Sequence, residues 1–143
     1  MTIARIIAQR GPSDIIACDA ATPVSQVVQT LATRRIGALP VLRDGKVVGI
    51  VSERDVIYRL ADKGRECLDL PVGEIMTSPA ITVEPSTTVD EALGMMTRRR
   101  FRHFPVVEHG ALVAFISIGD LVKHKMGEVQ HEAEALRNYI QAV

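Results

Sequence analysis

Aromatic side chains are scarce in this chain, which has no Trp, three Phe and two Tyr, 3% in all. Its core must therefore be aliphatic, and base stacking on aromatic platforms is a poor route to any nucleic acid. Cysteine is nearly missing as well. Cys18 and Cys67 form no CxxC and have no histidine at ligand spacing, so neither a disulfide framework nor a zinc site is indicated, and both read as plain buried thiols. Net charge is absent too, with 17 basic residues against 17 acidic ones. That balance argues against a chain that coats nucleic acid or an anionic membrane, and any anion it binds must be met locally. No stretch approaches the roughly twenty apolar residues of a membrane span. The opening MTIARIIAQR lacks the apolar run and small-residue cleavage site of a signal peptide; the reading is a cytoplasmic protein. Catalytic signatures are missing in the same way: there is no Walker loop, no GxGxxG after a strand and no HExxH. Without a nucleophile beside a base, a carboxylate pair or a metal set, a non-enzyme that needs no metal is expected.

What is present is an internal repeat. Apolar residues make up 47% of the 143 positions and charged ones 24%, ordinary for a globular chain. The length suits one domain, or two small units sharing a core. Sliding the chain against itself by 65 positions aligns it without a gap and gives twelve identities between Ser13 and Leu60. They include Ser13/Ser78, Thr22/Thr87, Pro40/Pro105, Gly45/Gly110, Ser52/Ser117 and Asp55/Asp120. Self-similarity at fixed spacing marks duplicated supersecondary units.

Each copy reads as β-α-β-β-α. A short apolar run (Ile15 to Cys18; Ala80 to Val83) leads to a Thr-rich turn. Helical spacing follows, with Val24, Val27, Val28 and Leu31 in copy one and Val89, Ala92, Leu93 and Met96 in copy two. Pro23 suits a first helical turn, and Ser86 or Thr87 before Asp90 and Glu91 suits a helix start. Two strands come next, Ala38 to Arg43 with Val47 to Ser52 and His103 to Glu108 with Leu112 to Ser117, joined by turns at Asp44-Gly45 and His109-Gly110. Second helices are predicted from Glu53 and Gly119, and the segment 61–71 reads as a linker. A sheet covered by helices on one face only leaves the other face to be hidden. The predicted architecture is thus α/β (α+β), two units with their open sheet faces against each other about a pseudo-twofold axis. The boundaries fall at 1–64 for the first unit with its lead-in, 65–127 for the second and 128–143 for a C-terminal helix. That helix carries Val129, Ala133, Leu136 and Ile140 at helical intervals, a stripe suited to packing on its own core or on a second subunit.

The chemistry concentrates in GIVSERDV and AFISIGDL, each a strand ending in serine with an acid three residues on, at a helix start. Two readings stay open here. Ser52 with Asp55, and Ser117 with Asp120, can bind a ribose phosphate, the hydroxyl and helix N-terminus meeting phosphate and the carboxylate accepting ribose hydroxyls. Alternatively each pair is a capping box that only starts a helix.

The longer stretches LPVLRDGKVVGIVSERDV and FRHFPVVEHGALVAFISIGDLVK resemble CBS domains, the repeat named for cystathionine β-synthase, whose tandem pairs are called Bateman modules. The resemblance runs from roughly Ile3 to Lys125. It implies a regulatory module with an adenine nucleotide, such as AMP, ADP, ATP or NAD(H), between the repeats, often as a homodimer that regulates an unidentified partner protein. Carried onto this chain, one pocket has Gly11, Ile16, Ile36, Gly37 and Ala38 at the base and Ser117 and Asp120 at the ribose. The other has Met76, Ile81, Phe101 and Arg102 at the base and Ser52, Arg54 and Asp55 at the sugar. Gly37 and Ala38 correspond to Arg102 and His103, and Arg54 to Gly119, so the pockets are not equivalent. The first is favoured for adenine, and Arg102 with His103 for phosphate charge. The cluster Arg98, Arg99, Arg100 and Arg102 also reads as a solvated helix C-terminus. A ligand-free protein-interaction domain remains the alternative function, with nucleic-acid binding a weaker one.

Overall fold

The computed structural model describes residues 1–11 and 14–142; Ser13, the first matched position of the repeat, lies outside them. Helix α1 spans Ile3–Arg10, strand β1 Cys18–Asp19, α2 Val24–Arg34, β2 Ala38–Arg43, β3 Lys46–Ser52 and α3 Glu53–Lys63. The second copy supplies α4 (Val89–Arg99), β4 (His103–Glu108), β5 (Ala111–Ser117) and α5 (Ile118–Ala142). Between them the predicted linker is wound into two 3-10 turns, Gly64–Asp69 and Val72–Glu74.

The duplication is visible down to backbone detail. β2 pairs antiparallel with β3, and β4 with β5, each ladder slipping at the same place, between Val41 and Leu42 and between Val106 and Val107. Both hairpins turn through two residues of positive φ, Asp44 and Gly45 at 54° and 77°, His109 and Gly110 at 50° and 78°. That is the requirement of a tight hairpin turn with φ above zero at both central positions. Helices α2 and α4 both end on an arginine in the left-handed region, Arg35 and Arg100.

Three local expectations shift. The apolar run Ile15 to Cys18 makes a strand only at Cys18–Asp19, parallel to β2, because Ile15 and Ile16 turn toward a cleft instead of a neighbouring strand. Its counterpart Ala80 to Val83 shrinks to one bridge, Val83 with Val106. The cap of α4 is Thr88, in a full capping box with Glu91. Thr87 is already engaged, its hydroxyl accepting from the Glu84 N–H at 3.3 Å. Finally, α5 begins at Ile118 and runs through position 128 without a break.

Two cores form, and each borrows from the other half of the chain. Val24, Val27 and Leu31 of α2 pack with Leu39, Val41 and Val51 in the first core, joined by Val72 and Ile75 from the segment leading into copy two. Val89, Ala92 and Met96 of α4 pack with Phe104 and Ile116 in the second, joined by Ile3 and Ile6 of α1. The lead-in of each copy therefore completes the opposite core. Backbone bonds hold the crossing: Ile3 N–H to Thr87 O at 2.9 Å, Val89 N–H to Met1 O at 3.0 Å, Val72 N–H to Thr22 O at 2.7 Å. Each small core is short of apolar surface, and a segment from outside the unit supplies it. Cys67 is fully buried. Cys18 is half-buried, and burial, helped by the Asp19 charge, pushes its thiol up to about 11, so it is unreactive at neutral pH.

Candidate ligand-binding cleft

A cleft of about 540 Å³ opens on the seam between the repeats, within the range of small-molecule pockets. Copy one and its lead-in contribute the small or aliphatic Gly11, Ile16, Ile36, Gly37 and Ala38, together with the charged Arg10 and Asp14. Copy two faces them with His103, Ala114, Phe115, Ser117 and Asp120. Every residue expected for the first pocket is thus brought to one place.

The local sequence explains the wall. A Cβ added to Gly37 would stand 3.2 Å from Glu53 Oε1 and 4.0 Å from His103 Cε1, so glycine keeps this stretch open toward the second copy. His103 opens β4 and stacks on Phe115 of β5, ring centroids 5.3 Å apart and planes 10° from parallel, the diagonal cross-strand contact of an antiparallel pair. Burial pulls His103 below its ordinary value, with Arg102 assisting and the carboxylates of Asp120 and Glu53 opposing. It is a neutral, half-buried ring at the rim.

Asp120 is the centre of charge. The Ser117 N–H and hydroxyl donate to its Oδ2 at 2.9 and 3.1 Å, while its own N–H donates to Ser117 Oγ at 3.2 Å. The capping reading of this turn is therefore correct as geometry, and it leaves the other carboxylate oxygen for a guest. Arg10, the last residue of α1, forms an ion pair with the same carboxylate and donates to Phe115 O at 3.2 Å. Burial alone would raise the Asp120 carboxyl, but the Ser117 N–H, the Arg10 guanidinium and the Ser117 hydroxyl together hold it below the usual aspartate value.

Arg10 is the residue sequence reasoning missed. It sits beside Gly11, but only the crossing of α1 onto the second copy brings it to Asp120. Arg102, expected at the phosphate, is exposed and outside the lining. It directly precedes His103, and alternation along an extended chain sends neighbouring side chains to opposite faces.

The symmetry-related site is built differently. Ser52 N–H and hydroxyl donate to Asp55 Oδ2 at 2.8 and 3.1 Å, as in copy two, but the Thr77 hydroxyl donates to the other oxygen at 3.1 Å. Thr77 also pairs with β3, its N–H reaching Ile50 O at 2.8 Å and its carbonyl accepting from Ile50 N–H at 3.0 Å. Met76 lies over β3 so closely that a Cβ on Gly49 would overlap its sulfur. Ile81 and Phe101 pack on the second core, where Phe101 meets Phe104 edge to face at 4.6 Å, and Arg54 is exposed. Met76 and Thr77 thus tie the lead-in of copy two to β3, while Ile81 and Phe101 serve the core of their own copy. At the position matching Thr77, copy one carries Pro12, which has no N–H to give.

A second cleft, about 530 Å³, lies across Arg10 and Asp120 between α1 and α5, lined in part by Arg5, Lys123, His124 and His131. Among the described residues no group of three or more His, Cys, Asp or Glu is placed to hold a metal. No described helix is long and apolar enough to cross a membrane.

Two matching units, each an antiparallel hairpin packed with helices, share a seam with a cleft and define a tandem-repeat architecture. The model of the CBS domain matches residues 12–62 and 72–127, and the chain belongs to the CBS-domain family as a tandem pair. A mitochondrial CBS domain-containing protein of Arabidopsis thaliana is 33% identical over 148 residues, covering 98% of this chain and 72% of that one. The crystal structure of a CBS-domain containing protein from Agrobacterium tumefaciens superposes with a TM-score of 0.81 at 33% identity, covering 87% of this chain and 99% of that one. The CBS domain pair of protein MJ0100, in complex with 5-methylthioadenosine and S-adenosyl-L-methionine, has the same fold with a TM-score of 0.77 at 22% identity, covering 90% of this chain and 98% of that one.

Proposed function

We propose that the chain is a cytoplasmic, non-catalytic regulatory module that takes one adenine nucleotide, AMP, ADP, ATP or NAD(H), in the cleft beside Asp120. In this reading it works as a homodimer and reports energy or redox state to a partner protein. The observation that carries the proposal is the pairing of a small apolar wall, made by Ile16, Ile36, Gly37 and Ala38, with the Asp120 carboxylate, whose Oδ2 takes both Ser117 and Arg10 and leaves Oδ1 to accept from a guest. A flat apolar slot suits adenine, and a carboxylate accepts both hydroxyls of a ribose. Arg10 and His103 at the same opening suit a phosphate, Arg10 exchanging its partner Asp120 for the incoming charge. An adenosine compound in the MJ0100 pair supports this choice of ligand class.

Isothermal titration with AMP, ADP, ATP and NADH tests it. One site per chain is expected, with Asp120→Ala weakening binding by roughly tenfold or more, as loss of a charged hydrogen-bond partner does, and Asp55→Ala leaving it unchanged. Absence of heat with all four, together with an unshifted melting temperature, sinks the proposal. That outcome favours the second reading, a ligand-free interaction domain, for which both Ser-x-x-Asp turns being complete as caps already speaks.

A further inference from the structure

Helix α5 keeps the body of the protein on one side only. Leu121 is buried, and His124, Lys125 and Glu128 are partly covered. Lys125 pairs with Asp90 at 2.9 Å and Glu128 with the chain's amino terminus at 3.8 Å. From 131 to 142 every residue is exposed.

The apolar residues of this helix do not follow the body-facing side. Val122, Met126, Val129, Ala133, Leu136 and Ile140 recur at alternating steps of four and three, the a and d positions of a heptad. At about 100° per residue this stripe stands roughly a quarter turn from Leu121, to one side of the face that packs on the body. Its large members are open to solvent in the protomer, Val122 41%, Val129 52%, Met126 67%, Leu136 61% and Ile140 65% exposed. A run of this length left to water is unfavourable.

The flanking charges say what covers it. With Met126, Ala133 and Ile140 at a, Glu132 falls at g and Arg137 at the following e. In a parallel two-stranded coiled coil a g residue faces the e residue five positions on in its partner, so Glu132 meets the partner's Arg137 twice by symmetry. An antiparallel pairing centred on Ala133 would instead bring the two Glu132 carboxylates together.

We infer that α5 is a parallel coiled-coil strand whose occupant is the same helix of a second copy, with Val122 to Ile140 as the seam. The inference rests on the homodimer proposed above and names its surface, and it is independent of what fills the cleft. His124 and His131 lie on the opposite side of α5 from the seam at about 100° per residue, while Lys123 takes the e position beside it.

Sedimentation of the full chain tests this. A dimer is expected, and Leu136→Glu should weaken it by roughly tenfold or more, since an unpaired carboxylate would be buried in an apolar seam. Leu136 touches no core in the protomer, so the variant should keep the parent's folded far-UV spectrum and the same nucleotide titration. Glu132→Arg and Arg137→Glu should each weaken the dimer, and the double exchange should restore it, which a merely hydrophobic association would not do. Ile140→Cys should cross-link copies under mild oxidation where the parent does not, since the parallel register sets the two positions 140 opposite. A monomeric parent overturns both the seam and the homodimer. A dimer indifferent to Leu136→Glu, or to the charge exchange, overturns the seam alone, and in every case nucleotide binding is read separately.

Discussion

At the scale of single residues, Asp120 and His103 set the behaviour of the cleft. Asp120 is held in its charged form, a hydroxyl acceptor paired with Arg10, and His103 is held toward its neutral form. The His103 shift fixes a direction for stability. Its pKa lies below 6.5 in the fold because burial disfavours the imidazolium. Below pH 6.5 the unfolded chain therefore gains a proton that the folded chain refuses, so the contribution is complete above that pH and is lost as acid is added. Melting temperature should fall between pH 7 and pH 5.5, and His103→Gln should flatten that fall. A slope unchanged by the substitution would count against the buried-ring assignment. Much of this site was legible beforehand. Hydroxyl and carboxylate three apart at a strand end are local chemistry, and Gly37 and Ala38 stood out by contrast with Arg102 and His103. Arg10 was not legible, because nothing in its own surroundings points to a residue more than a hundred positions away.

At the scale of elements, helices were readable from apolar spacing and hairpins from their turn residues, while ends were decided by competition. Thr88 caps α4 because Thr87 is spent on the preceding turn, a choice between adjacent identical side chains that composition does not distinguish. The short β1 reflects a similar contest, in which Ile15 and Ile16 serve the cleft and leave two residues for pairing. The ends of α2 and α4 carry a cost that can be relieved. Arg35 and Arg100 occupy left-handed backbone at φ 53° and 58°, a conformation that glycine adopts without the penalty a Cβ brings. Arg35→Gly and Arg100→Gly should each raise stability by about 0.5–1 kcal/mol in urea unfolding, the range for matching residue type to left-handed backbone. A loss of stability in both would show that these arginine side chains contribute more than the strain removes.

At the scale of the whole molecule, the repeat of 65 predicts two like units facing each other, and the structure has them. It carries no information on which lead-in serves which core, since a shift that matches copies is blind to an exchange between them. The exchange has a measurable consequence. Ile6 belongs to the first lead-in in chain order yet is 2% exposed within the second core. Ile6→Ala should cost about 2–4 kcal/mol, the usual range for a buried large-to-small change, with the loss of hydrogen-exchange protection concentrated in α4, β4 and β5 and sparing α2. Equal loss in both halves would mean that the units unfold as one. The bridge between Thr77 and Ile50 has a further consequence for motion. Residues 72–77 lead into copy two in chain order, yet they belong to the first core through Val72, Ile75 and Met76 and to β3 through this backbone pairing. That strap therefore moves with the first unit when the cleft changes shape, which puts the passage from one unit to the other after Thr77 and not in the residues 61–71 read as the linker.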